Sequence, residues 1–376
     1  MAVRKRVAVI GVGTMGSQAM WRLAARGAEV IGFDRFAPGH DRSAAGGETR
    51  VFRTAQTDDP RYVPVVRHAD ALWRQLQQET GRELRRLTGS LFIGPADHHE
   101  MGNVLKSMAE HDIDHEIVDA ESIATRFPQL RVDDGDIAVF DRQAGFVRPE
   151  LTVLTAARRA EELGARIHRY TPVREFVPTS SGVEIRTDAG IERVDTAVVT
   201  VGPWVNDLLS DLPWNVDVRR LISAWFPISA GRSGPALPPF IRTAPEHFYG
   251  IPSPDGVSVK LGLSRGFHRP AGDPNQLNRT VEPQELEIFG DLIGRYLPGL
   301  LPDPIRTSVF MEGYTDDNHP LIGPLPGAEN VVLLAGFSGR GFKMSPAWGD
   351  IAADLVLDGR TDQPIDFLSP LGRVAA

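Results

Sequence analysis

The first residues able to do chemistry are the glycines of Gly11-Val-Gly13-Thr-Met-Gly16, which end a continuous apolar run over residues 7–10. Gly11 permits a tight turn, Gly13 lets the backbone approach a pyrophosphate, and Gly16 allows a helix to pack closely on the preceding strand. The phosphates then sit on the free amides of the helix N-terminus. An acid, Asp34, follows 23 residues after Gly11, placed to accept the ribose hydroxyls of an adenosine. A glycine turn with a surface aspartate is the plain alternative. Here, however, strand, helix, second strand and acid stand in the order a dinucleotide requires. Because the acid is kept, a 2′-phosphate is disfavoured, which leaves NAD or FAD.

Other chemistry is narrowed by composition. Only four basic residues are lysines (Lys5, Lys106, Lys260, Lys343); the other 37 are arginines. A lysine in that background marks a position where a compact ammonium is wanted, or else is a random surface lysine. Lys260 and Lys343 are candidates on this ground. The chain has no cysteine, which excludes disulfides, thiolate metal sites, a cysteine nucleophile and a thioether-linked cofactor. No metal site is expected. The 376 residues carry a net charge of −8 without a basic block, so nucleic acid and anionic membranes are excluded as partners. The longest apolar runs are far too short to span a bilayer. Arg4-Lys5-Arg6 precedes a run broken by Gly11 and Gly13, which reads as a buried strand rather than a leader. A cytoplasmic protein is expected.

These residues need elements to position them. Residues 7–10 and 28–33 read as short buried strands around a helix over 17–26. Amphipathic helices are expected over 62–79 and 149–163. A segment over 90–93 precedes a stretch, 97–121, that reads only as polar. A strand meander is expected from 165 to 186, and a buried strand over 196–201 leads to Gly202-Pro203-Trp204. From 211 to 315 proline is dense and turns such as Pro254-Asp255-Gly256 separate short strands, which predicts an antiparallel sheet. The opening style then returns: a buried strand over 330–335, a glycine loop, and a helix over 346–357. The expected fold is α/β + α+β. A Rossmann-like FAD-binding domain from 1–85, 144–212 and 320–376 is interleaved with a mainly antiparallel β-sheet substrate-binding domain from 86–143 and 213–319. Nicotinamide dehydrogenases normally complete their dinucleotide domain in one block, so this interleaving favours FAD.

In their order along the chain, the motifs resemble the monomeric sarcosine oxidase family, which includes N-methyltryptophan oxidase. These are FAD amine oxidases of the wider D-amino-acid-oxidase-like group. The resemblance covers nearly the whole chain and begins with the opening glycine motif and Asp34, Gly47-Glu-Thr-Arg50-Val-Phe-Arg53 and Tyr62-Val-Pro. It continues with Phe248-Tyr249-Gly250, Lys260-Leu-Gly262, Tyr314-Thr315 and, most specifically, Gly336-Phe-Ser-Gly-Arg-Gly-Phe-Lys343.

The resemblance implies oxidation of a secondary amine or N-methyl amino acid. A hydride equivalent passes from the carbon next to nitrogen to flavin N5, the imine hydrolyses, and O2 is reduced to hydrogen peroxide. It implies that Arg53 and Lys343 bind the substrate carboxylate, and that Arg50 lies close to the flavin. It makes Lys260 the promoter of the reaction with O2, and places Tyr249, Tyr314 and the position of Ser264 around the substrate. Cofactor contacts are then expected from Gly11, Gly13, Thr14, Met15 and Gly16, from Asp34 and Arg35, and from Thr49 and Arg50. Val173, Gly202 and Trp204 add the middle of the chain. Gly336, Phe337, Gly339, Arg340, Gly341, Phe342 and Lys343 add its end.

Three positions depart from the family pattern. Covalent members attach FAD through a cysteine two residues before the Tyr-Thr pair, where this chain has Glu312, so dissociable FAD is expected. The family's histidine four residues after the lysine is Ser264, and His268 compensates only if its loop is rearranged. The histidine before the Gly-acid-Thr-Arg motif is Gly46. These losses leave room for a differently shaped amine. Plain alternatives stay open: Arg50 and Arg53 as a solvated face or phosphate ligands, the tyrosines as sheet aromatics, His319 as structural. At the level of function the alternatives are three. They are a flavin-dependent amine or imino-acid dehydrogenase with another acceptor, a NAD-linked dehydrogenase, and a flavin-holding protein without a redox role. The expected partners are a small amine and O2, with a monomer as the family expectation.

Overall fold

The computed structural model describes residues 4–42, 44–57, 59–210, 213–229, 237–371 and 373. Strands from distant parts of the chain build a six-stranded sheet in the order Leu321–Leu325, Ala328–Ala335, Thr196–Val199, Arg6–Ile10, Glu29–Phe33, Arg166–His168. Every neighbouring pair is parallel except the terminal hairpin. Such strands are covered on both faces and therefore read as continuous apolar runs. Their alternate residues sort by face. Val7, Val9, Val30, Val198 and Val332 pack under helices Thr14–Ala25, Pro149–Glu162 and Ser345–Asp358. Ala8, Ile10, Ile31, Val199 and Val331 face an antiparallel meander of Val173–Thr179, Gly182–Thr187 and Gly190–Val194. Helix Val63–Thr80 lies against helix Ser345–Asp358.

The second sheet has nine strands and is antiparallel but for one pair, Phe240–Arg242 beside Ser90–Pro95. Its long strand Asp217–Pro227 pairs with Arg306–Tyr314 on one side and Ser258–Leu263 on the other. Phe226, Phe240, Phe248, Val259 and Leu261 on one face pack against Phe289, Leu292 and Ile293 of helix Glu287–Tyr296. Residues of the opposite parity, among them Tyr249 and Lys260, point to the other face. A small third sheet of Arg50–Phe52, Gly145–Val147 and Arg85–Leu87 carries Arg50.

Two expectations change. The stretch 97–121 is not featureless: it forms helix His99–Glu110, strand His115–Asp119 and the start of helix Ala120–Arg126. Only Met101, Val104, Ser107 and Met108 are buried on the first helix, so its composition stays polar. The strand is an edge strand, where polar residues are tolerated. Residues 166–168 do not join the meander but extend the parallel sheet beside Glu29–Phe33. The expected change of pattern at 211 lies outside the described residues.

Candidate active site

A single cavity of about 650 Å³ runs from the opening glycine loop to the face of the second sheet. That is within the usual range for small-molecule sites. At its nucleotide end Gly11 holds φ +88°, and a Cβ there would lie 2.6 Å from the carbonyl oxygen of Thr200. A Cβ on Gly16 would lie 1.8 Å from the carbonyl oxygen of Gly11, so this glycine lets helix and strand touch. Gly13 lines the cavity and has no atom within 4 Å of where its Cβ would be. It caps helix Thr14–Ala25 without a side chain, leaving the first-turn amides for an anion. Asp34 is buried, and its two oxygens each accept an amide at 2.7 Å, from Val12 and from Phe36. These bonds fix the carboxylate and leave lone pairs for hydroxyl donors. Beyond it, Arg35 stacks on Trp204 at 5.3 Å, and Asn275 of the second lobe bonds both. Val173 and Gly202 complete this wall.

The far end is built by the returning chain. Gly336, Ser338 and Gly339 all have left-handed backbones, at φ +63°, +50° and +78°, and wrap the loop that carries Phe337, Arg340, Gly341, Phe342 and Lys343 into the cavity. Lys343 is buried, and its carbonyl is fixed by the indole N–H of Trp73 at 2.9 Å. Arg53 lines the same end, with Nη1 donating to Ala55 O at 2.8 Å and Nη2 to Thr57 Oγ1 at 3.0 Å. Tyr249, Ser264 and Tyr314 line it as well. A Cβ on Gly262 would strike the Tyr249 phenol, so the glycine lets that ring lie across the strand. Burial raises the Tyr249 phenol, and burial followed by the Glu312 carboxylate raises Tyr314, so both stay protonated donors. Arg50 donates to Thr49 O and Ala44 O at 2.9 and 2.7 Å and lies over Phe310.

Gly16, Thr49 and Lys260 stand behind this surface rather than on it. Lys260 has no solvent exposure; its ammonium donates to Gly47 O at 3.0 Å and to Thr49 O. Burial and the nearby Arg50 push its pKa well below the lysine range, with Glu150 and Glu48 opposing. Glu150 holds the same loop from its other side, accepting the amides of Gly47 at 2.7 Å and Glu48 at 3.1 Å. Gly46 has a physical reason too: the Phe310 ring fills the place of any side chain there, 2.1 Å from a Cβ.

Two residues absent from the expected site line the cavity. The single turn Arg265–Phe267 rearranges the loop so that His268 enters, 3.1 Å from the Tyr314 hydroxyl. Glu312 accepts from that hydroxyl at 2.9 Å. Strand alternation puts Phe310, Glu312 and Tyr314 on one face, a signal already present in the sequence. His319 bonds the Tyr62 hydroxyl at 2.7 Å instead of entering the cavity. Among the described residues no group of three His, Cys, Asp or Glu is arranged to hold a metal, and no helix is long and apolar enough to cross a membrane.

Residues 6–355 match the family described as FAD dependent oxidoreductase. The monomeric sarcosine oxidase of Streptomyces avermitilis is 34% identical over 98% of both chains. The N-methyl-L-tryptophan oxidase of Salmonella typhi is 32% identical over 94% of both. In three dimensions the chain resembles NikD, an amino acid oxidase essential for nikkomycin biosynthesis (TM-score 0.86, 24% identity, 99% of each chain). It also resembles L-proline dehydrogenase from P. horikoshii (TM-score 0.82, 23% identity, 98% of each). The family match settles on FAD the choice left open by the first motif; the glycine cradle and the fixed Asp34 fit it, and no cysteine exists to bind it through a thioether. The chain belongs to the FAD dependent oxidoreductase family.

Proposed function

We propose that the protein oxidises a secondary amine that carries a carboxylate, an N-methyl amino acid, with O2 as acceptor and hydrogen peroxide as product. The observation that carries this reading is that two buried cations, Arg53 and Lys343, line the same cavity as Tyr249 and Tyr314. FAD, when bound, would supply the two-electron redox chemistry that links amine oxidation to reduction of O2. Segments 1–85, 144–212 and 320–376 hold the cofactor; 86–143 and 213–319 shape the substrate's side.

The chain's own part is position and charge. Arg53, its fork aimed by Ala55 O and Thr57, and Lys343 bind the carboxylate in a partly dry site. Tyr249 and Tyr314 line the amine end, and Ser264 leaves space there. Arg50 supplies fixed positive charge beside the FAD, and Lys260 adds the field that favours reduction of O2. The reading carries with it a monomeric, cytoplasmic enzyme.

A second reading, an amine dehydrogenase using another acceptor, draws on the burial of Lys260, whose ammonium is tied to two carbonyls behind the cavity wall. The test is to mix FAD-loaded protein with a panel of N-methyl amino acids without oxygen. At least one is expected to bleach the flavin, and air is expected to restore the colour with one peroxide per amine. Flavin that no amine bleaches would refute the function. Bleaching reversed by a dye but not by O2 would select the dehydrogenase.

A further inference from the structure

Three side chains on the cavity wall are joined end to end. Tyr314 Oη lies 2.9 Å from Glu312 Oε2 and 3.1 Å from His268 Nδ1, and His268 Nε2 lies 3.0 Å from Leu263 O. A carbonyl only accepts, so Nε2 carries a proton. With a neutral imidazole, Nδ1 then needs a donor. An ionised Glu312 needs one too, and Tyr314 has a single proton to give. The set is therefore one proton short. Adding one completes every contact, either as Glu312 O–H to Tyr314 to Nδ1, or as an imidazolium to Tyr314 to a carboxylate. A second added proton would leave the Tyr314 O–H without an acceptor. The geometry stores one proton.

An amine substrate has the matching need. A secondary amine is protonated near neutral pH, and its lone pair must be free before the neighbouring carbon can part with a hydride equivalent.

We propose that Glu312, Tyr314 and His268 form a relay that takes this proton from the substrate ammonium, a role that rests on the amine-oxidase reading above. One N–H bond breaks, the electron pair stays on nitrogen and the proton goes to the Glu312 carboxylate. Tyr314 then turns its own proton toward His268 Nδ1. No oxidant or further reactant is involved. Positive charges flank the His268 end of the relay and oppose its protonation. Arg265 lies 4.7 Å over the Tyr314 ring, Arg219 donates to His268 O, and both arginines are shared with Asp217. Burial, with these arginines behind it, holds His268 below the usual histidine range against the pull of Glu312. Tyr249 is the remaining titratable neighbour of the Tyr314 phenol.

Two measurements on the full-length FAD-loaded protein test the relay. The first needs no substrate: the His268 resonance is followed against pH by ¹³C-histidine NMR, assigned by its loss in His268→Gln. Tyr314→Phe leaves both end groups in place but removes the bridge. It is expected to lower the His268 midpoint by about one pH unit, tenfold in proton affinity. An unmoved midpoint in Tyr314→Phe would overturn the shared proton.

The second measurement is the rate of anaerobic flavin reduction by an N-methyl amino acid against pH. Glu312→Gln is expected to slow it on the order of 10²-fold near neutrality, the lower end for a positioned base. That deficit should shrink about tenfold per pH unit as free amine takes over. Glu312→Asp, which keeps a carboxylate, is expected to restore the wild-type profile. A deficit equal at every pH, or none, would overturn the relay. If no amine reduces the wild-type flavin, the amine-oxidase reading fails first, and the NMR titration still decides whether the three residues share one proton.

Discussion

Gly46 is the position where packing and site geometry can be separated by a single methyl group. In Gly46→Ala the new Cβ would sit 2.1 Å from Cε1 and 2.8 Å from Cδ1 of Phe310. Carbon atoms in contact rest about 3.5–4.0 Å apart, so the ring must retreat by about 1.5 Å. Phe310 is buried, and the Arg50 guanidinium covers it at 5.6 Å, so retreat disturbs a cation of the site. Overpacking of this kind costs about 1–3 kcal/mol. Phe310→Ala alone empties a core position, at about 3–5 kcal/mol. In the double variant the methyl enters the space the ring has left. The clash disappears, and the combined loss should fall short of the sum by about the whole overpacking cost. Denaturant unfolding of the four proteins measures this coupling once the FAD contribution, set by each variant's own Kd and the free FAD concentration, is subtracted. Strict additivity, or a neutral Gly46→Ala, would refute the claim that the ring occupies the side-chain space of residue 46.

Asp34→Ala frees two buried amides and removes the carboxylate acceptor for two ribose hydroxyls, each such charged bond worth about 1.5–3 kcal/mol. FAD affinity in a titration of the apoprotein should fall at least about 10²-fold; a change under threefold would remove Asp34 from the site. Lys260→Met should slow reoxidation of the reduced flavin by O2 far more than its reduction by amine, in stopped-flow half-reactions. Equal slowing of both would remove the O2 role. Asp350 clamps helices Thr14–Ala25 and Val63–Thr80 to its own helix, through Arg22 at 2.7 Å and His68 at 2.8 Å. Burial pushes its pKa up, but these partners outweigh it and hold the carboxyl below its ordinary value. Its contribution is thus complete above the unfolded value of about 3.9 and is lost as pH falls through the lower, folded value. Asp350→Asn should destabilise near neutrality and flatten that acid limb of stability; an identical acid limb in both proteins would contradict it.

The nucleotide half was legible because each of its signals is local. Gly11, Gly16 and Asp34 are dictated by a turn, a helix contact and a carboxylate that must hold neighbouring amides. All three constraints lie within one strand–helix–strand unit. The apolar runs at 7–10, 196–201 and 330–335 announce buried strands, though not their order in the sheet. The far end was less legible because its contacts are long-range. Nothing near Gly46 indicates that Phe310 will fill its side-chain space. Nothing in 264–268 gives the turn that swings His268 against Tyr314. In the sequence Glu312 stands out only as a replaced cysteine, although its parity with Tyr314 on one strand places both on the same face.

The burial of Lys260 explains why an arginine-rich chain keeps a lysine there. Glu48 in the loop below it holds a left-handed backbone at φ +67°, a conformation a glutamate adopts only when its surroundings enforce it. Two carbonyls of that loop point at Lys260, two of its amides point at Glu150, and the Glu48 carboxylate is held by the indole N–H of Trp225 at 3.1 Å. Glu150 opens a helix of the nucleotide lobe, while Lys260 and Trp225 stand on the second sheet. The loop that delivers Arg50 is therefore fixed from both lobes at once. A compact amine serves the two carbonyls, with Glu150 and Glu48 nearby to oppose the loss of its proton. A guanidinium would bring five donors to two acceptors and strand the rest in a dry site. Lys260→Arg, the change that preserves charge, should therefore loosen FAD binding and lower the thermal midpoint more than Lys260→Met. Wild-type affinity and midpoint in Lys260→Arg would show that charge alone, not the size of the donor, holds the loop.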